Sequence, residues 1–376
     1  MADASGGSSE AIVASQSVLN AWLIPIMWRA TTVIGGLFCL AVGALYYKQE
    51  SLLYFPSIGG VPRRPGDNPR RYRSPAEHAI PYETHYIKCD DGINIHSWLL
   101  LHPHSKEKKL PTIVFFHGNA GNIGLRLPNA IQMFKYLQAN VFMVEYRGYG
   151  DSDDTNPTEK GLKLDSEAAL RFIRSHEHVD SSNIFAFGRS LGGAVTFHLA
   201  RYAEQSGIPL AGIIVENTFL SISKMVDQLM PFLTPIKSLV LTLDWNSGSI
   251  APQIQIPVLY LAGGQDELVP PSHMQALYKT STRVSRCAKM HVVENGTHND
   301  TWLHGGKAYW EAIRIFLSDN CGDGSGTDSS PVDVSASAHG ESNVVPLMPT
   351  NLVGMASASA KSGGGSSNTA TIKKDL

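Results

Sequence analysis

The stretch that most restricts this chain is Asn183-Ile184-Phe185-Ala186-Phe187-Gly188-Arg189-Ser190-Leu191-Gly192-Gly193, continuing into Ala194-Val195-Thr196-Phe197-His198-Leu199-Ala200. A short apolar run, a turn of small residues and an apolar helical run follow one another without a break. That order spells a buried strand, an abrupt turn and a helix. Gly188-x-Ser190-x-Gly192 falls at the turn, the context a nucleophile elbow requires. There the serine would take a strained backbone position that lifts its hydroxyl above the sheet. Glycines two residues to either side carry no Cβ and let strand and helix close in. An ordinary strand–helix turn with a surface serine is the plainer alternative. A working nucleophile needs more: a base, an acid, oxyanion donors and a lid.

Between Pro81 and Leu317, strand-like and helix-like stretches alternate. Tyr82–Cys89 and Ile93–Leu101 bracket Asp90-Asp91-Gly92, a hairpin signal. Thr112–Phe116 is a continuous apolar run, as expected of a strand covered on both faces. Helical spacing follows over Leu125–Leu137, then a strand over Val141–Tyr146 and an amphipathic helix over Glu159–His176. Gly212–Glu216, Val258–Gly263 and Lys289–Val293 read as further strands and Trp310–Leu317 as a closing helix. The alternation predicts an α/β fold, a mainly parallel, doubly wound sheet with helices on both faces. Ligands of such sheets sit beyond the carboxyl ends of the strands, where Ser190 falls.

A serine hydroxyl becomes a useful nucleophile when a base takes its proton and an acid orients that base. Asp266 stands just past the strand Val258–Gly263, and His298 stands in the loop after Lys289–Val293. Both leave the sheet at the same edge as Ser190, in the chain order serine, acid, histidine. Glu216, at the end of its strand, is the alternative acid, and Glu267 ranks below it. His291 reads as a strand residue and His304 as the weaker base. The oxyanion donors expected are the main-chain N–H of Leu191 and that of Asn119, in the loop His117-Gly118-Asn119-Ala120-Gly121-Asn122. His117 reads as a loop-packing residue. No metal ligand set and no cofactor motif is spelled.

With 17% charged residues and a formal net charge of -2, the chain offers no electrostatic case for binding nucleic acid. Its cysteines, Cys39, Cys89, Cys287 and Cys321, form no C-x-x-C pair.

Five regions are expected. Residues 1–29 form a polar N-terminus with an apolar lead-in. Ala30–Tyr47 is uncharged and predicts a transmembrane anchor, with Trp28 at one interface and Tyr46-Tyr47 at the other. Residues 48–80 read as a basic, Pro-rich linker, in which Lys48, Arg63, Arg64, Arg70, Arg71 and Arg73 place the large domain on the cytosolic side. Residues 81–320 form the α/β domain. Its apolar insertion at about 218–256 is a lid, read as a wall for an acyl chain. Residues 321–376 have the Ser/Gly-rich composition of a disordered tail. They end in Lys373-Lys374-Asp375-Leu376, which resembles the dilysine signal that returns membrane proteins to the endoplasmic reticulum. Asn295-Gly296-Thr297 and Asn299-Asp300-Thr301 spell glycosylation sequons, but a glycan on either would crowd His298, so both are read as chance.

His117–Asn122, Tyr146-Arg147-Gly148-Tyr149-Gly150-Asp151-Ser152, Gly188–Gly193, Gly264-Gln265-Asp266 and Gly296-Thr297-His298 together resemble the alpha/beta-hydrolase superfamily. The chain is most similar to its membrane-anchored branch, the alpha/beta-hydrolase domain-containing protein 13 and bud-emergence-protein 46 group. The resemblance implies a serine hydrolase with a Ser190-His298-Asp266 triad, acting on esters or thioesters of acyl-lipids or acylated proteins. Depalmitoylases of the wider branch carry a cysteine-rich N-terminus that this chain lacks. An acyltransferase or lipase of the same fold and a non-catalytic membrane scaffold are the alternatives.

Overall fold

Residues 6–57, 59–105 and 109–319 are described by a computed structural model. The expected tail, with its dilysine terminus, lies outside the described residues. Eight strands form one sheet in the order β1-β2-β4-β3-β5-β6-β7-β8. They are β1 (Tyr82–Lys88), β2 (Asn94–Leu100), β3 (Thr112–Phe116), β4 (Asn140–Val144), β5 (Ile184–Arg189), β6 (Gly212–Glu216), β7 (Val258–Gly263) and β8 (Ala288–Val293). β1 and β2 form the expected hairpin and β2 pairs antiparallel with β4. Every pairing from β4 through β3 to β8 is parallel.

Every residue of β3, β4, β5, β6 and β7 is buried, which is why those strands read as unbroken apolar runs rather than alternating ones. Side-chain alternation still sorts them. Ile113, Phe115, Val141, Met143, Phe185, Phe187, Leu259 and Leu261 join one core cluster with helices α2 (Leu127–Leu137) and α7 (Gly306–Ser318). On the other face Phe142 stacks on Phe172 of α3 (Glu159–Arg174), and the nucleophile's own helix α4 (Leu191–Gln205) lies beside it. Two further helices of eight or more residues are α5 (Ile222–Leu229) and α6 (Pro271–Ser281), and Lys237–Val240, Ser247–Ile250 and Thr301–His304 are single helical turns. Sequence periodicity did not single out α6. β4 ends two residues before the expected Tyr146, because Tyr146 turns its hydroxyl to the carbonyl of His117 and joins the site edge.

The N-terminal boundaries differ from expectation. Helix α1 runs unbroken from Gly6 to Leu53, through Pro25. Its stretch Asn20–Leu53 holds an 18-residue window of mean hydropathy 1.7 and is long and apolar enough, by length and composition, to cross a membrane. The apolar lead-in before Arg29 is therefore helix too, with Trp22, Ile24 and Met27 as exposed as Val33 and Leu37. Residues 48–80 are not the extended connector that their prolines suggested. Tyr54, Asn68, Tyr72 and Pro75 are buried, and Pro65–Asp67 and Pro75–His78 form short 3-10 turns. Arg63 donates to the carbonyls of Gly148 and Ser152, so part of the basic cluster is engaged with the domain.

The chain divides into two compact units. The larger takes residues from Glu50 to Pro231 and from Leu243 onward, and so contains the whole sheet. The smaller takes the helix as far as Gln49 together with Phe232–Thr242, the middle of the predicted lid. Within it the Gln49 side chain donates to the carbonyl of Val240 and accepts from the N–H of Thr242. Phe232 and Leu239 there are strongly exposed, whereas Ile222, Met225 and Leu243 of the larger unit are buried.

Candidate active site

Ser190 stands between β5 and α4 at φ 55 and ψ -119, a conformation that costs a non-glycine residue about 1–3 kcal/mol. Neighbouring groups hold it there. Its N–H donates to the carbonyl of Glu216, and its carbonyl accepts from the N–H of Gly193 and the hydroxyl of Thr218. The flanking glycines are required by contact. A Cβ on Gly188 would lie 2.0 Å from the Gly192 carbonyl oxygen, and one on Gly192 would lie 2.1 Å from that of Phe116.

The structure brings Ser190, His298 and Asp266 together. The Ser190 hydroxyl is 3.0 Å from His298 Nε2, and His298 Nδ1 is 2.8 Å from Asp266 Oδ2. With a carboxylate at Nδ1, that nitrogen holds the proton of the neutral ring, leaving Nε2 to accept from the serine. The other oxygen of Asp266, Oδ1, accepts from the N–H groups of Leu268 and Val269, which fixes the carboxylate's plane. All three residues are buried, with Ser190 8% exposed, Asp266 8% and His298 4%. This low exposure strengthens their hydrogen bonds relative to water.

Leu191 directly follows Ser190, and Asn119 directly follows Gly118. Gly118 lies against Ser190, its notional Cβ 3.7 Å from the serine Cβ. Neither the N–H of Asn119 nor that of Leu191 has an acceptor among the described residues. Two free donors beside a serine hydroxyl can receive a negative oxygen.

The alternatives are placed elsewhere. The Glu216 carboxylate takes Arg189 on both oxygens, at 2.8 and 3.2 Å, and the hydroxyl of Tyr309 at 2.5 Å, so it is not the partner of His298. Burial disfavours the Arg189 charge, but Glu216 and Tyr309 hold its pKa above the ordinary value. Glu267 accepts the main-chain N–H of His298. His291 lies in β8, where burial lowers its pKa, and His304 bonds Asp300. His117 is fully buried 3.2 Å from Glu145, tilted against Tyr146, in keeping with a packing role.

Asn217 was not singled out by sequence reasoning. Sitting at φ 48 after β6, its side chain donates to the carbonyls of Thr297 and His298 and to the hydroxyl of Thr301, and accepts from the N–H of Gly263. One amide thereby joins the acid strand to the histidine loop. The signal in the sequence was slight: a residue tolerant of φ > 0 directly after a strand. A separate cluster, Glu83, His85 and His176, has ligand-type atoms all within 4.8 Å of one another. Both imidazoles bond one carboxylate oxygen of Glu83, at 3.0 and 2.9 Å, which satisfies the group as it stands.

A mainly parallel sheet with a strained serine at its carboxyl edge defines an alpha/beta hydrolase, and residues 111–237 match the family model described as the alpha/beta hydrolase fold. The chain belongs to the bem46 group of alpha/beta-hydrolase domain proteins. It is 38% identical over 296 residues to the alpha/beta hydrolase domain-containing protein WAV2 of Arabidopsis thaliana, covering 75% of this chain and 92% of that one. It is 36% identical to protein bem46 of Schizosaccharomyces pombe, covering 75% and 89%. It is 33% identical to the uncharacterized membrane protein YNL320W of Saccharomyces cerevisiae, covering 78% and 98%. Among solved structures, the Pyrococcus furiosus esterase Pf2001 superposes with a TM-score of 0.54 at 16% identity, covering 69% of this chain and 98% of that one. Carboxyl esterase 2 of Tuber melanosporum gives 0.52 at 14%, covering 65% and 88%. At such identities the likeness is one of fold.

Proposed function

We propose that this chain is a membrane-anchored serine hydrolase that cleaves carboxylic esters or thioesters of acyl-lipids or acylated proteins. The observation that carries the reading is the hydrogen-bonded line Ser190–His298–Asp266 on a strained elbow with two free N–H donors beside it. Ser190 Oγ attacks the acyl carbonyl carbon while His298 Nε2 takes the hydroxyl proton. The carbonyl oxygen becomes an oxyanion and is met by the N–H groups of Asn119 and Leu191. Collapse breaks the bond to the alcohol or thiol, which leaves with the proton from His298. Water then attacks the acyl-serine, again giving up its proton to His298; collapse breaks the bond to Ser190 Oγ, which takes that proton back from His298 as the free carboxylic acid departs. Asp266 holds the imidazole and stabilises its positive charge throughout.

The apolar helix supports an acyl substrate, because an enzyme held at a bilayer meets lipids and lipidated proteins at high local concentration. The basic cluster after the helix supports a cytosolic domain, and the terminal lysines support residence in the endoplasmic reticulum.

A fluorophosphonate probe applied to membranes carrying the full chain tests the nucleophile. The wild-type chain takes the label and Ser190→Ala does not, with ester hydrolysis falling by about 10⁴-fold or more. Labelling that survives Ser190→Ala would assign the chemistry to another residue.

A further inference from the structure

The loop carrying Asn119 is held by the chain segment in which the long helix ends. The N–H of Phe55 donates to the carbonyl of Asn119 at 3.0 Å, and the N–H of Gly121 donates to the carbonyl of Phe55 at 3.0 Å. Together they form a short parallel bridge between Phe55 and Ala120. The Asn119 side chain adds a third bond, donating from Nδ2 to the carbonyl of Leu53 at 3.0 Å. The brace is itself anchored. Tyr54, between the two, is buried, and its hydroxyl accepts from the indole N–H of Trp245 at 2.8 Å. The hydroxyl of Tyr149 donates a second bond to the Asn119 carbonyl at 2.8 Å.

An oxyanion donor acts only when its direction is fixed before charge develops, and loops supply such rigidity poorly on their own. Here the main-chain carbonyl and the side-chain Nδ2 of Asn119 are bonded, whereas its main-chain N–H has no acceptor among the described residues. We propose that Leu53-Tyr54-Phe55 is the positioning element of the oxyanion hole, so that hydrolysis requires this segment to be seated on the Asn119 loop. The inference rests on the hydrolase reading above and adds a dependence of the chemistry on the juncture between helix and domain. A change in how the helix end is held would then alter turnover without touching Ser190, His298 or Asp266.

The full chain in lipid vesicles, assayed with a p-nitrophenyl acyl ester and with an acyl trifluoromethyl ketone, tests this. The ketone's adduct with Ser190 places an oxyanion in the hole, whereas KM reports largely on ground-state binding. Phe55→Pro deletes the N–H that clasps Asn119. It should lower kcat at least about tenfold, hold KM within about twofold, and weaken ketone inhibition by the same factor as kcat/KM, short of the about 10²–10³-fold expected for outright loss of a donor. Amide exchange at Gly121 should rise at least about tenfold, a readout independent of activity. Unchanged turnover, inhibition and exchange in a folded Phe55→Pro chain would overturn the proposal. If Phe55→Pro does not fold, Asn119→Ala decides, since it removes the clasp on Leu53 and keeps the main-chain N–H. A matched loss of kcat and ketone affinity at unchanged melting temperature supports the brace, and no change in either refutes it. A wild-type chain that neither hydrolyses the ester nor takes the fluorophosphonate would instead refute the hydrolase reading.

Discussion

Asn217 shows how much of the site hangs on a group with no part in the proton transfers. Its amide spends four hydrogen bonds on Gly263, Thr297, His298 and Thr301, all buried or half-buried. Asn217→Ala takes the partner from the Gly263 N–H and from the His298 carbonyl, each worth about 1–3 kcal/mol when buried, while the Thr297 carbonyl keeps the Thr301 hydroxyl. The expected outcome is a lower melting temperature and a kcat reduced at least about tenfold, because the His298 loop loses its tie to the acid strand. Asn217→Gly separates two causes: it relieves the φ of 48 but still lacks the amide. Equal losses in the alanine and glycine variants assign the effect to the hydrogen bonds, and recovery with glycine assigns it to backbone strain. The contrast with Ser190, Asp266 and His298 explains what could be read beforehand. Those three announce themselves by residue type, by neighbouring glycines and by position after strands. Asn217 makes bonds to residues that lie 46 to 84 positions away, and no local pattern encodes them.

At the scale of elements, the same logic governs the buried histidines of β2 and α6. His96 in β2 is buried with its Nδ1 unpaired, and burial lowers its pKa against the opposing pull of Glu145 and Asp151. His273 in α6 accepts at Nδ1 from the Leu220 N–H, and burial lowers its pKa although Asp266 acts in the opposite sense. Both therefore stay neutral in the folded chain where an unfolded chain would already be protonated. Their contribution to stability is fully present above the ordinary imidazole value of about 6.5 and is lost as pH falls below it toward the depressed folded values. The melting temperature should fall between pH 7 and pH 5. His96→Phe, which removes the titrating group and keeps a ring between Tyr86 and Trp98, should flatten that fall. An identical slope in the variant would show that His96 has no share in it. The strands of this sheet were legible because full burial makes each an unbroken apolar run. The segment from Val61 to Ile80 was not, because prolines and arginines suggest a solvated connector whether or not a domain lies beneath them. Asn68 and Asn122, bonded side chain to side chain in the interior, mark where the chain is fastened instead.

The whole molecule poses a question of length. Asn20–Leu53 is 34 residues, roughly 50 Å of helix at ~1.5 Å per residue, whereas the hydrocarbon core of a bilayer is about 30 Å thick. A span therefore needs only part of the helix. Ala30–Tyr47 is the uncharged part, and Arg29 and Lys48 bound it as the two charges nearest the interfaces. Leu37 and Leu40 lie near the middle of that window and are exposed in the isolated chain. If the helix crosses the bilayer there, the full chain should remain in the membrane pellet after alkaline carbonate extraction. Leu37→Arg with Leu40→Arg should release it, since each central arginine costs about 2.5–3.5 kcal/mol on the insertion scale. Retention of the double variant would mean that the helix lies along the interface or that the apolar stretch before Arg29 serves as the anchor. Orientation is a separate matter, and the cytosolic side is proposed from charge. One arginine precedes the window between Asn20 and Ala30, and Arg64, Arg70, Arg71 and Arg73 stand exposed after it. A bias of that sign is what the proposed cytosolic orientation of the large unit rests on. Protease added outside sealed microsomes should then destroy fluorophosphonate labelling without detergent. Labelling that withstands protease until the membrane is opened would place the site in the lumen, where the sequons at Asn295 and Asn299 would become available.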